Sequence, residues 1–356
     1  MRDGLRVLDA DGHIVEAGDV FTDIIPPGAE VFDLPATTPM QMCGDLELLR
    51  DQLDHGFDAP SYVRAMDAQG IDAAVLYPSM GLFVPYLPEL DAAASLAACR
   101  AYNEWIASYC SADPARLAAV GVVPRDPMAA ATEARRAAEL DLVGVTVRPN
   151  HIGGEYLDAP SWTPLYDALE ETEGVLAIHE ALGVRAGVTI GSDRFSGFAA
   201  RHACSHPLEQ MTAAVAILLG GVCERHPALS VAFLESGTGW LPYWLARLDD
   251  HREWMRDTEC APLSLAPSEY FARQCAISSD PEDVLAGFTI DSVGADHVMW
   301  ASDFPHPDAA FPDAVDEFLE HVPGISADAR QAVLWDTPLR FYGLEDRFSV
   351  SVSTTR

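Results

Sequence analysis

Apolar residues fall in short blocks along the chain, and longer stretches with helical spacing lie between the blocks. The opening run Arg6-Val7-Leu8 leads into Asp9-Ala10-Asp11-Gly12-His13, and later blocks are Ile71 to Tyr77, Leu117 to Val123 and Leu142 to Val147. Gly174 to Ile178, Leu229 to Leu234, Gln274 to Ile277 and His297 to Ala301 complete the set. Blocks this short, bounded by turn residues, predict buried strands. The intervening stretches predict helices over Ser61 to Gln69, with Ser61 as N-cap and Gly70 as stop, and over Asp91 to Cys110. Further helices are predicted over Pro127 to Leu140, Thr163 to Thr172, Pro207 to Arg225, Trp240 to Met255, Pro281 to Phe288, Pro312 to His321 and Ala327 to Trp335. Eight strands separated by helical sequence specify a parallel α/β sheet, and that number fits a closed (β/α)8 TIM barrel.

One stretch breaks the rhythm. From about Ala17 to Pro60 the chain is rich in Pro, Gly and Asp and weak in periodicity. A loop of that length in a compact protein predicts a lid or subunit contact inserted after strand one. The expected organisation is one domain over 1–344, with 17–60 as the insertion and 345–356 as a frayed tail. A length of 356 residues suits a barrel with insertions.

Composition narrows the partners. The formal charge of −33 repels phosphate backbones and anionic membranes, so nucleic-acid and membrane-surface binding are not expected. No apolar run approaches the roughly 18 residues of a membrane span, and the N-terminus lacks the pattern of a signal peptide. Seven scattered cysteines without a Cys-x-x-Cys pair read as reduced thiols of a cytoplasmic protein.

Chemistry-bearing residues recur at strand ends. Asp11 and His13 end strand one, Arg148 strand four, His179 strand five, Glu235 strand six and Asp303 strand eight. In a barrel these C-terminal ends surround one mouth, so residues far apart in sequence converge there. Residues two apart on an extended strand share a face, which lets Asp11 and His13 enter one cavity while Gly12 stays clear. Two imidazoles and two carboxylates suit a divalent ion that keeps a position open for water or substrate.

Asp11-x-His13, His179 after strand five and Ser302-Asp303 after strand eight resemble the amidohydrolase superfamily, in its amidohydrolase-related branch. Gly144 to Asn150, Ala177 to Glu180, His206-Pro207 through Gly221, Phe233 to Gly237, Trp300 to Asp303 and Phe341 to Leu344 extend the resemblance over most of the chain. The similarity is to the group of aminocarboxymuconate semialdehyde and gamma-resorcylate decarboxylases. It implies that Asp11, His13, His179 and Asp303 bind one divalent ion, Zn2+ or alternatively Mn2+, that Asp303 also moves a proton, and that the protein is a homodimer. Two departures stand out. Asp11 occupies a position where relatives often carry His or Glu, and Glu235 occupies one where the decarboxylases usually carry His. A glutamate cannot copy a neutral imidazole donor.

Other residues carry two readings each. Arg148 either holds a substrate carboxylate in a bidentate fork or pairs with Glu180 or Asp303. Glu180 either orients a ligand imidazole or is a solvated loop residue. His306 either lines the pocket or belongs only to its loop, and His206 either reaches the mouth or begins the helix at Pro207. Trp240, Tyr243 and Trp244, at helical spacing, read as core. Ser236-Gly237-Thr238-Gly239 lacks the lysine and spacing of a phosphate loop. The resulting expectation is a metal-dependent enzyme that decarboxylates a small aromatic or unsaturated carboxylic acid. The alternatives are a metal-dependent hydrolase of an amide, lactone or ring C–N bond, and a barrel that binds a ligand without chemistry.

Overall fold

The structure, a computed structural model, describes residue 2 and residues 4–27, 46–150, 155–181, 189–306 and 309–348. Its strands are β1 (Leu8–Ile14), β2 (Ala73–Pro78), β3 (Leu117–Ala119), β4 (Gly121–Val122), β5 (Gly144–Val147), β6 (Val175–Ile178), β7 (Ser230–Phe233), β8 (Cys275–Ser279) and β9 (Val298–Trp300). All ladders are parallel and run in chain order, β1 to β3 and then β4 to β9. The predicted third strand is broken at Val120 into β3 and β4. Hydrogen bonds bridge that seam: Val120 N–H donates to Leu76 O at 3.1 Å and Val143 N–H to Ala119 O at 3.0 Å. On the other side, Asp303 N–H donates to Asp11 O at 3.2 Å and His13 N–H to Phe304 O at 2.7 Å, tying β1 to the segment after β9. The nine segments are the eight strands of a (β/α)8 barrel.

Strand alternation sorts the apolar residues into two layers. Leu8 and Ala10, Ala73, Val75 and Tyr77, Ala118 and Val120, Val175 and Ala177, Ala232 and Leu234, Ala276 and Met299 form one buried cluster. Those residues come from strands all the way round, as expected of a barrel interior filled by side chains rather than left as a pore. The alternate residues, among them Leu76, Val145, Ile178, Phe233, Ile277 and Trp300, join the larger cluster with the helices outside.

β1 departs from this alternation in one place. Leu8 pairs with Ala73 and Asp9 with Ala74, but Gly12 pairs with Leu76, so β1 spends three steps where β2 spends two. An extra residue of this kind reverses which residues face inward. Leu8 and Ala10 therefore point into the barrel below the bulge, and Asp11 and His13 point into it above. A Cβ on Gly12 would stand 2.5 Å from the Tyr62 hydroxyl and 2.8 Å from Asp9 Oδ2, so the position takes glycine.

Several predicted boundaries move. The helix expected from Ser61 begins at Ala59 and is capped by Asp58, whose carboxylate accepts the Ser61 amide at 2.9 Å; Gly70 ends it in the left-handed conformation at φ 78°. The helix expected to start at Pro207 instead starts at Phe198 and runs through Pro207 to Ala214, continuing as a π turn over Val215–Leu219. A proline inside a helix removes one hydrogen bond without necessarily ending it, and Pro207 sits in such an interior position. The helix expected over Pro281 to Phe288 forms at Ala286–Val293, because Asp283 is committed to the amide and hydroxyl of Thr238 at 2.7 and 2.6 Å. Tyr243 stands 62% exposed rather than in the core.

Within the predicted insertion 17–60, residues 28–45 lie outside the described residues; the rest holds the helix Arg50–Asp54 and the start of Ala59–Gln69. Residues 349–356 of the predicted tail also lie outside them. The part before is packed rather than frayed: Phe348 is fully buried against the interior cluster, and its carbonyl accepts from Arg6 at 3.0 Å. Among the described residues no helix is long and apolar enough to cross a membrane.

Candidate metal centre

The strand ends place Asp11, His13, His179, Glu235 and Asp303 around one point. His13 and His179 are fully buried, and Asp11 is 2% exposed. His13 donates Nδ1–H to Pro78 O at 3.0 Å, and His179 donates Nδ1–H to Glu180 O at 2.6 Å. Each ring thereby turns a bare Nε2 lone pair inward, the tautomer that carbonyl partners impose on metal-binding histidines. Burial holds His13 well below the usual imidazole range and His179 at about 4, so both rings are neutral near pH 7.

The inward atoms are closely spaced. His13 Nε2 lies 3.0 Å from His179 Nε2, 3.7 Å from Asp11 Oδ1, 3.6 Å from Asp303 Oδ1 and 3.7 Å from Glu235 Oε2. His179 Nε2 lies 3.6 Å from Asp11 Oδ2 and 3.1 Å from Glu235 Oε2. Metal–donor bonds of about 2.0–2.2 Å put two donors on one ion roughly 3.0 Å apart at right angles and roughly 3.4 Å apart at the tetrahedral angle. The His13–His179 and His179–Glu235 spacings, 3.0 and 3.1 Å, fall in that range, and the other four, at 3.6–3.7 Å, lie a few tenths of an ångström beyond it. Asp11 Oδ1 is buried with no hydrogen-bond partner, and burial together with Glu235, Asp303 and Asp280 pushes its carboxyl well above the usual range. Bare nitrogens and crowded carboxylates facing one another call for a cation, and these residues fit one.

The neighbouring side chains separate the double readings. His306 donates Nδ1–H to Asp303 Oδ1 at 2.7 Å and stacks on the His13 ring at 4.1 Å between centroids, so it belongs to the site and not only to its loop. His206 is buried in mid-helix, and its Nε2 reaches within 3.2 Å of Glu235 Oε1. Helix Phe198–Ala214 carries it to the mouth, in place of the helix start expected there. Arg148 and Glu180 are both fully buried and 3.3 Å apart, and Arg148 also donates to Asn150 Oδ1 at 2.9 Å. The guanidinium thus forms an ion pair in the wall. Glu180 is buried in that pair rather than solvated, and its backbone carbonyl is what orients His179.

Three features escaped the sequence. Asp280, just after β8, lines the same cleft as His206, Glu235 and Asp303, and is 9% exposed. It obeys the strand-end rule, but the block before it is weak in apolar residues. Asp9, read as strand, accepts Ser302 N–H at 2.9 Å and Ser302 O–H at 2.5 Å, locking the Asp303 turn to β1. Glu235 and Asp303 both sit at positive φ, 46° and 55°. Non-glycine residues there cost of order 1–3 kcal/mol and cluster at functional sites.

The chain is similar to known proteins along most of its length. A 2-amino-3-carboxymuconate-6-semialdehyde decarboxylase from Dictyostelium discoideum is 24% identical over 308 residues, 86% of this chain and 82% of its own length. The structure of 5-carboxyvanillate decarboxylase from Sphingomonas paucimobilis superposes with a TM-score of 0.73 at 25% identity, over 95% of this chain and 99% of that one. A 5-carboxyvanillate decarboxylase from Novosphingobium aromaticivorans, complexed with manganese and 4-hydroxy-3-methoxy-5-nitrobenzoic acid, superposes with a TM-score of 0.74 at 20% identity, over 96% and 97%. The amidohydrolase family model matches residues 8–344, from the start of β1 to three residues past the last helix, and the chain belongs to that family of metal-dependent enzymes.

Proposed function

We propose that the protein is a decarboxylase that removes CO2, without oxidation, from a small aromatic or unsaturated carboxylic acid. The observation that carries this reading is the position of Asp303. Its Oδ1 is 3.6 Å from His13 Nε2 and 2.7 Å from His306 Nδ1, and the residue lines a cleft with about 170 Å³ of free volume. The decarboxylase relatives support the same reaction class. The proposed ligands are Asp11, His13, His179 and Asp303; the zinc or manganese ion they hold supplies positive charge beside the reacting carbon. Asp303, oriented by the His306 N–H, delivers a proton to the carbon that loses CO2. The C–C bond to the carboxylate breaks, its electron pair stays on that carbon and takes the proton, and CO2 departs. Arg148 acts from the wall by fixing Glu180, whose carbonyl sets the His179 tautomer. A homodimer belongs to this reading on the strength of the resemblance alone, and a cytoplasmic location on the scattered, unpaired cysteines.

One observation favours hydrolysis instead. The described residues that line the cleft include Glu235, Asp280, Glu282 and Asp303, and no Lys or Arg. An acidic wall opposes a carboxylate substrate and leaves a neutral amide or lactone unaffected. Here Asp303 would take a proton from the water that attacks the C–N or C–O bond. The test is protein loaded with Mn2+ or Zn2+ and offered hydroxybenzoates and unsaturated acids on one side, amides and lactones on the other. CO2 release that falls at least about 100-fold in Asp303→Asn supports decarboxylation. Bond opening without CO2 selects the hydrolase, and ligand binding with neither reaction selects the non-catalytic barrel.

A further inference from the structure

We propose that Glu235 is a fifth donor to the metal centre, so that the ion is held by two imidazoles and three carboxylates. This rests on the centre holding a divalent ion and not on which reaction it performs. Glu235 Oε2 stands 3.1 Å from His179 Nε2, where Asp11 stands 3.6 Å away, and 3.7 Å from His13 Nε2, where Asp11 and Asp303 stand at 3.7 and 3.6 Å. Because both rings give their Nδ1 protons to backbone carbonyls, neither has a second proton for Glu235 while neutral. An anionic oxygen facing two nitrogen lone pairs is repelled unless a cation lies among them.

Backbone and neighbours hold the carboxylate there. Glu235 takes the left-handed conformation at φ 46°, its N–H donates to the Ser278 hydroxyl at 2.9 Å, and one residue, Leu234, separates it from the end of β7. Its second oxygen, Oε1, is 3.2 Å from His206 Nε2. The two carboxylate oxygens therefore have different work: Oε2 faces the ion, and Oε1 faces His206, which is a positioning residue. Where the resemblance places an imidazole, this chain has a carboxylate, which stands between His206 and the centre.

Three carboxylates make the donor set hard. Oxygen donors suit manganese, and imidazoles suit zinc equally well. Removing Glu235 should therefore cost Mn2+ more than Zn2+. Metal-free protein is titrated with Mn2+ while the EPR signal of the free aquo ion is followed, and with Zn2+ in competition against a chromophoric chelator. Glu235→Gln is expected to weaken Mn2+ by more than about 100-fold, beyond the range typical of outer contacts, and Zn2+ by less. His206→Gln is expected to weaken Mn2+ about 10-fold. Glu235→Gln binding Mn2+ within threefold of the parent, while His13→Ala fails to bind it, overturns the proposal. If Glu235→Gln does not fold, the unsubstituted protein decides the matter. Electron spin-echo spectroscopy in D2O counts the exchangeable waters on bound Mn2+. Five protein donors on a six-coordinate ion leave at most one water, and two or more overturn the assignment.

Discussion

His13 and His179 face each other Nε2 to Nε2 across 3.0 Å, although each has already given its Nδ1 proton to a carbonyl. Without a cation between them this contact is repulsive. Either ring replaced by Ala should abolish tight metal binding, and with it the rise in melting temperature that added Mn2+ or Zn2+ gives the parent. At a free metal concentration 100 times Kd that stabilisation is about 2.7 kcal/mol. Differential scanning fluorimetry with and without metal measures it; an undiminished shift in His13→Ala would place the ion elsewhere.

Arg148 and Glu180 form a fully buried pair. Removing one partner leaves an uncompensated buried charge, so Arg148→Ala or Glu180→Ala should cost about 3–5 kcal/mol. Arg148→Met with Glu180→Leu should recover most of the loss. Urea unfolding of the three variants checks this. If Arg148 instead served as an open fork for substrate, Arg148→Ala would unfold at the parent's midpoint and change only KM.

Glu16 is buried, and its carboxylate accepts the amides of Met80 and Gly81 at 2.9 and 2.8 Å. Burial outweighs those donors and raises its pKa to about 7, against 4.5 for an unperturbed glutamate. Between those values the folded chain holds a proton that the unfolded chain has released. Stability from this group is therefore present at low pH and falls as pH rises through the window, by roughly 3 kcal/mol at most. Urea midpoints at pH 5 and pH 7.5 should show the fall, and Glu16→Gln should flatten it; a slope unchanged in that variant would assign the proton to another group.

Gly12 sits at the β1 bulge against Tyr62 and Asp9. Gly12→Ala forces one of them aside, at a cost of about 1–3 kcal/mol typical of overpacking. Because Asp9 also anchors Ser302, metal affinity should fall together with stability. Parent-like affinity in a folded Gly12→Ala protein would show that the bulge does not position Asp11 and His13.

Short apolar blocks and the helical spacing between them were enough to specify the barrel, because side-chain period and block length are local properties of the chain. The strand-end rule likewise directs Asp11, His13, His179, Glu235 and Asp303 to one mouth. What stayed hidden depended on contacts between distant segments. Pro207 looked like a helix start because sequence alone does not show that upstream residues, from Phe198, are already helical and packed. Arg148 had two partners open to it, and only burial beside Glu180 decided between them, since a guanidinium taken out of water must find a counter-charge nearby. The bulge that turns Asp11 and His13 inward is a register difference between two strands about sixty residues apart, a quantity neither strand carries by itself. Glu235 is the sharpest case: its residue type was legible, but its place among the imidazoles and its tie to His206 exist only once β7 and the helix before it have packed.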